Sequence, residues 1–270
     1  SLQRYLSPDV VEQVIEKKLD IGLGGEIKEG TVLFADITDF TPMSERLDAA
    51  TLVKMLNKYF TRMVEIVFSN AGTVDKFGGD SILSVWGAPK ETPEAPFLAV
   101  KTALEMQNAL FDLNTKENWS EFITIGIGLC SGKFLAGNIG SERRMEYTVI
   151  GHTVNLAQRV ESLAASDAIM VNQETLTGIH RPAASVAFSP ISVKGVSAAL
   201  SVFSIVGYLD TPKPYRTVLS MPVTIVSESR RRMKGRMVGY FRDDFNRSFV
   251  SVMSDMSFEP DKHFAILPKL

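Results

Sequence analysis

Residues 74–87 read VDKFGGDSILSVWG. Two short apolar-rich runs, Thr73 to Phe77 and Ser81 to Trp86, flank Gly78-Gly79-Asp80. Glycines between two such runs mark a tight turn, so the stretch reads as a hairpin of neighbouring antiparallel strands with an acid in the turn. A second acid closes another run. Thr31 to Ile37 (TVLFADI) is nearly continuous in apolar residues, which marks a buried strand, and Asp36 stands near its end.

The rest of the chain supplies helices around these strands. Ser7-Pro8-Asp9 is a helix start, with a capping serine, a proline at the first turn and an early acid, and predicts a helix over about 8–18. The glycines from Gly22 to Gly25 release it. Pro42 opens an amphipathic helical stretch that runs through LVKMLNKYFTRMVEIVF and ends at Ala71-Gly72. A second long helix is expected over 93–113. Phe122 to Cys130 alternates as a strand, and KFLAGNIG continues as another after Ser131-Gly132. Short strands are expected at 147–150, 168–171, 186–188 and 201–206, with a helix over 153–165. Met55, Met63 and Met106 read as packing residues, and Lys54, Lys58 and Lys101 as solvated ones. Strand, helix, two strands, helix, strand is the ferredoxin-like order. The fold class is therefore α+β, an open palm-type sheet with helices packed on one face.

In that layout the first strand and the hairpin are neighbours, so Asp36 and Asp80 converge. Two close carboxylates repel unless a proton or a metal neutralises them. Hard divalent cations take few protein oxygens and leave room for phosphate. Two readings stand at this point, a metal pair or two turn-forming acids. After Asp36 the chain runs Ile37-Thr38-Asp39-Phe40-Thr41 into a helix, where backbone N–H groups could cradle a triphosphate. The segment EYTVIGHTVNLAQRVE places Asn155 and Arg159 four apart on one helical face. A planar guanidinium there suits a transferring phosphate; the plain alternative is a solvated polar face.

Composition excludes several classes. Lys plus Arg is 29 against 31 Asp plus Glu, for a net charge of −2, so no global positive field favours nucleic acid. A single cysteine, Cys130, allows no internal disulfide and fits a reducing, cytoplasmic setting. No apolar run approaches the roughly 20 residues of a membrane span. A tether on a further segment is compatible with this.

VLFADITDFT, DKFGGDSILSVWG, YTVIGHTVNLAQRVE and the SVKG of Ser192 to Gly195, in this order and spacing, resemble the class III nucleotidyl cyclase catalytic domain. The resemblance runs from about Thr31 to Ile205. The letters GGD also open a diguanylate cyclase signature. That turn continues with an acid and an aromatic, where Ser81-Ile82 stand here, and it lacks the Asn155/Arg159 helix. The class III resemblance implies two divalent metal ions per site, Mg²⁺ or Mn²⁺, held by Asp36, Asp80 and Ile37. It implies catalysis through Asn155, which orients the ribose, and Arg159, which stabilises the α-phosphate. Phosphate binding falls to Lys194, Thr38, Asp39, Phe40 and Thr41. Its sites lie between the subunits of a head-to-tail homodimer.

Base choice is implied by Lys76, four before Asp80, and Thr148, seven before Asn155. Lysine only donates and suits adenine N1, while a threonine hydroxyl can accept from the adenine amino group. Guanine presents a donor at N1, so ATP is expected as substrate and cyclic AMP as product. The Lys/Thr pair resembles a bacterial subgroup that includes bicarbonate-responsive enzymes, so bicarbonate regulation is a subgroup-level expectation. A guanylyl cyclase and an inactive regulatory homology domain are the rival readings. Asp39 stands where a glycine is common and His152 where Asp or Asn is frequent. His152 reads as structural.

Three regions are expected: a linker or transducer helix over 1–28 serving an upstream sensor, the catalytic domain over 29–208, and an extension over 209–270. Arg232 and Arg236, with Asp255 and Ser257 beyond, faintly resemble a cyclic-di-GMP-binding PilZ pattern. A basic surface strand or a dimer-supporting extension is the simpler expectation for that tail.

Overall fold

The computed structural model describes residues 8–16, 22–117, 119, 121–164, 167–181, 183–188, 199–208, 221–227, 232–242, 248–254 and 264–268. The first half comprises α1 (Pro8–Ile15), β1 (Gly24–Ile37), α2 (Phe40–Arg46), α3 (Ala49–Ser69), β2 (Thr73–Gly78), β3 (Ser81–Trp86) and α4 (Ala95–Glu117). There follow β4 (Ile125–Ser141), β5 (Arg144–Ile150), α5 (His152–Glu161), β6 (Ile169–Asn172), α6 (Gln173–Gly178), β7 (Ala183–Ala187) and β8 (Val202–Tyr208).

One sheet runs β2-β3-β1-β4-β6-β8-β7, with β5 added on β4. Its β2-β3-β1-β4 part is the expected ferredoxin-like order, and β1 lies antiparallel to both β3 and β4. Strand alternation divides the core in two. Leu33, Ala35 and Ile37 of β1 join Met55, Tyr59 and Met63 of α3 and Val100, Leu104 and Met106 of α4. Val32, on the other face, joins Cys130 and Phe134 of β4 and Val154, Ala157 and Val160 of α5. Thus α3 and α4 cover one face of the ferredoxin-like unit, and α5, outside that unit, covers the other.

Several boundaries differ from the sequence reading, each for a local reason. β1 starts at Gly24, because residues 24–37 pair one for one with residues 125–138. The same ladder carries β4 through Ser131-Gly132, where two strands were expected. The helical stretch after Pro42 breaks at Asp48, whose carboxylate accepts from the N–H groups of Ala50 (3.1 Å) and Thr51 (3.0 Å) and starts α3 afresh. α6 has no counterpart in the sequence reading; it is six residues long and begins on an Asn172 side chain that accepts from Thr175 N–H. Lys54 is exposed as expected. Lys101 instead donates to Asn70 Oδ1 (2.6 Å) and pairs with Glu105, and Lys58 pairs with Glu117.

Beyond β8, β9 (Met221–Ser227), β10 (Arg232–Arg242), β11 (Ser248–Ser254) and β12 (Phe264–Pro268) form an antiparallel sheet of order β11-β10-β9-β12. Arg232 and Arg236 lie on β10. Asp255 and Ser257 lie outside the described residues, as do Lys194 and the other residues of Ser192 to Gly195. Among the described residues no helix is long and apolar enough to cross a membrane.

Candidate active site

Asp36, at the penultimate position of β1, and Asp80, in the β2–β3 turn, are brought together. The Asp80 carboxyl is pushed up to about 7, first by burial and then by the hydrogen bond and charge of Asp36; the backbone N–H groups of Asp80 and Ile37 act in the other direction. Asp36 Oδ1 is buried and has no hydrogen-bond partner. A buried carboxylate oxygen without a donor is costly, and beside a second carboxylate it is costlier still. That is the electrostatic state a cation would relieve, so the donor set fits a divalent metal. The Ile37 side chain is buried among apolar groups, so Ile37 could contribute only its backbone. Among the described residues no cluster of three or more His, Cys, Asp or Glu side chains could hold a metal. Two carboxylates would leave most positions of a Mg²⁺ ion to other oxygens, as that ion prefers.

The segment after Asp36 leaves the sheet as Thr38 N–H donates to Thr124 O (2.9 Å). Asp39 then takes φ 55° and ψ 32°, the left-handed region. Glycine is at ease there, and among other residues Asp and Asn are the best tolerated. Asp39 therefore keeps the loop path that the more common glycine would allow. α2 follows with Phe40 and Thr41 at its start and no side-chain cap on Asp39.

α5 carries Asn155 and Arg159. It begins after Gly151 and buries Thr153, Val154, Leu156, Ala157 and Val160 on the sheet. Asn155 is consequently exposed and Arg159 half-buried. Glycines in β4 let this helix lie close: a Cβ at Gly128 would stand 2.1 Å from Glu161 N and 2.6 Å from Ala157 O. Glu161, at the helix end, is pushed up to about 7 by burial and then by the charges of Asp36 and Asp80.

Lys76 and Thr148, 72 positions apart in the sequence, both contact the Asp75 carboxylate. Thr148 Oγ1 donates to Asp75 Oδ2 (2.9 Å), and Val149 N–H donates to Asp75 Oδ1 (3.2 Å). Lys76 Nζ lies 3.5 Å from Asp75 Oδ2 and 3.3 Å from Glu146 Oε2. Burial raises the Asp75 carboxyl, and the Thr148 hydroxyl is the first of several groups pulling it back down.

A family model described as the adenylate and guanylate cyclase catalytic domain matches residues 25–207. The chain belongs to this family. Adenylate cyclase 1 of Rhizobium meliloti (strain 1021) is 31% identical over 217 residues, which are 75% of this chain and 31% of that protein. The chain thus spans less than a third of this curated relative. Among solved structures, the adenylyl cyclase CyaB from P. aeruginosa superimposes with a TM-score of 0.66 at 32% identity, covering 68% of this chain and 96% of that one. The guanylyl cyclase Cya2 gives 0.64 at 34% identity, covering 69% and 95%.

The cyclase domain contains three groups at this site that the sequence reading did not single out. Tyr59 of α3 is fully buried with no partner for its hydroxyl, which burial and then the charges of Asp36 and Asp80 push upward. Glu161 approaches the same carboxylates from α5. Asp75 holds the Lys76/Thr148 pair. Tyr59 lies on the buried stripe of α3 with Met55 and Met63, and nothing local to it signals the acids. Asp75 sits one residue before Lys76, and only the β5 partner reveals its job.

Proposed function

We propose that this cyclase domain is an adenylyl cyclase that converts ATP to 3′,5′-cyclic AMP and pyrophosphate as a head-to-tail homodimer. The observation that carries the reading is the convergence of Lys76 and Thr148 on the Asp75 carboxylate between β2 and β5. An ammonium donates only, which suits adenine N1, and a hydroxyl oxygen can accept from the adenine amino group. Guanine would set its N1–H against the Lys76 ammonium, and a buried donor pair is a strong rejection.

In the reaction the ribose 3′-oxygen forms a bond to the α-phosphorus. The bond from that phosphorus to the α,β-bridging oxygen breaks, pyrophosphate leaves with the electron pair, and the hydroxyl proton passes to solvent. Asn155 orients the ribose so that the 3′-oxygen stands in line. The Arg159 fork meets the charge that builds on the α-phosphate oxygens. The backbone from Thr38 to Thr41, with Lys194, holds the β- and γ-phosphates. Asp36, Asp80 and the Ile37 backbone hold two divalent ions, Mg²⁺ or Mn²⁺. When bound, these ions supply Lewis acidity to the 3′-hydroxyl and the triphosphate.

In the dimer the acids come from one protomer, and Lys76, Thr148, Asn155 and Arg159 from its partner. Phe77, Met145 and Ile150, on the strands that carry the base-reading pair, are exposed at 48%, 40% and 44%, which supports a second copy covering them. α1 is where an upstream sensor would act, and bicarbonate is a regulator to include in the assay.

The test is to incubate the purified chain with ATP or GTP and Mg²⁺ or Mn²⁺ and to quantify cyclic products, with Asp36→Ala as control. Cyclic AMP that vanishes in the variant is the expected result. Cyclic GMP as main product would overturn the base assignment, and no product at dimerising concentrations would favour a regulatory homology domain.

A further inference from the structure

Asp75 is the extra residue of a β-bulge. Along the β2–β3 ladder Val74 pairs with Ser84 and Lys76 with Leu83, which leaves Asp75 unpaired. Bulges re-aim side chains. This one sends the Asp75 carboxylate to β5, a strand that pairs with β4 and not with β2. The side chain is only 3% exposed. Three donors converge on it: the Thr148 hydroxyl, the Val149 N–H and the Lys76 ammonium. A solvated turn acid has no need of such a site, because burying a carboxylate is unfavourable unless donors satisfy it.

We propose that Asp75 is a positioning residue that makes this site read adenine: it accepts the hydrogen bond of the Thr148 hydroxyl, so the base meets only that hydroxyl's lone pairs, and it tethers Lys76 beside them. The inference rests on the ATP reading above. A hydroxyl has one proton and two acceptor lone pairs. With its proton committed to Asp75, Thr148 accepts from the adenine 6-amino group and opposes guanine O6, another acceptor. Asp75→Asn reverses this. The Val149 N–H retains the amide oxygen, so the amide nitrogen faces Thr148 and donates to it. The Thr148 proton then turns toward the base and meets guanine O6.

The experiment measures kcat/KM for ATP and GTP in the wild type, Asp75→Asn, Thr148→Ala and the double variant, with thermal melts to confirm folding. Binding of the α,β-methylene analogues of both nucleotides keeps the selectivity readable if turnover is lost. The ATP/GTP ratio is expected to fall on the order of tenfold in Asp75→Asn, mainly through KM for ATP, the scale of one hydrogen bond to a charged group. The shift should disappear when Thr148 is already alanine. Asp75→Ser carries the same prediction should Asp75→Asn not fold. An unchanged ratio in an ATP-preferring enzyme, equal losses for both nucleotides, or a shift that persists without Thr148 overturns the role of Asp75 alone. A wild type that prefers GTP overturns the adenine reading, and this assignment with it.

Discussion

Gly128 of β4 lies directly beneath Glu161 of α5, so close that a Cβ on the glycine would stand 2.1 Å from the Glu161 backbone nitrogen. The nearest atoms are backbone, which cannot rotate away, so a side chain at Gly128 must lift the helix. Gly128→Ala is expected to destabilise the fold by about 1–3 kcal/mol through overpacking. It should also lower kcat by on the order of 100-fold, because Arg159 shifts with α5. Thermal unfolding and steady-state kinetics check the two effects, while Mn²⁺ binding at Asp36 and Asp80 should change far less than kcat.

If Asp80 holds a divalent ion as proposed, its carboxyl should tie metal binding to pH. Its carboxyl is raised from 3.8 to about 7, so the folded metal-free protein holds that proton more tightly than the unfolded chain does. The associated stability is complete below pH 3.8 and is lost as pH rises through about 7. A divalent ion must displace the same proton, so Mn²⁺ affinity should fall by about tenfold per pH unit below this range. Calorimetry with and without Mn²⁺ at pH 6 and pH 8 reads both slopes. Asp80→Asn should remove its share of the metal-free pH dependence and abolish the metal response.

Asp167 offers a stability test away from the site. Burial pushes it up to about 7, with only a backbone hydrogen bond from Ile125 opposing. Its backbone is left-handed at φ 60°, a region in which asparagine, like aspartate, is among the best-tolerated non-glycine residues. Above pH 7 the native state must hold this carboxylate charged. Asp167→Asn is therefore expected to stabilise the protein by roughly 1–3 kcal/mol at pH 8 and to do little at pH 5. Chemical denaturation at the two pH values gives the comparison.

On the adenylyl cyclase reading proposed above, the donor character of Lys76 should set the base preference. Lys76→Glu replaces it with an acceptor, which suits guanine N1–H and opposes adenine N1. It also places a third acid beside Asp75 and Glu146, the present partners of Lys76. The variant should lose at least about tenfold in kcat/KM for ATP and gain in relative use of GTP. Product analysis with both nucleotides at equal concentration measures it.

The strand that carries Asp36 and the hairpin turn that carries Asp80 were legible, because a near-continuous apolar run and a glycine turn are local signals. Asn155 and Arg159 were legible for the same reason, through helical spacing. The long β1–β4 ladder was not. Gly24, Gly25, Ser131 and Gly132 read locally as breaks, and only pairing of residues 24–37 with 125–138 makes them strand. Glu161 and Tyr59 could not be placed at the carboxylates from their own segments, since burial and a distant charge shift them together.

Sequence alone determined which chemistry-bearing residues exist, their spacing along each element and the family they resemble. Those properties follow from short-range periodicity and turn chemistry. Tertiary structure decided what each of those residues faces. It buried one carboxylate beside another and so raised it to about 7, and it laid α5 on a glycine floor. It also turned the Asp75 bulge toward Thr148, 73 positions away. These outcomes depend on strand register and on which faces pack, and residues distant in the chain acquire their electrostatics and hydrogen bonds only once that register is in place.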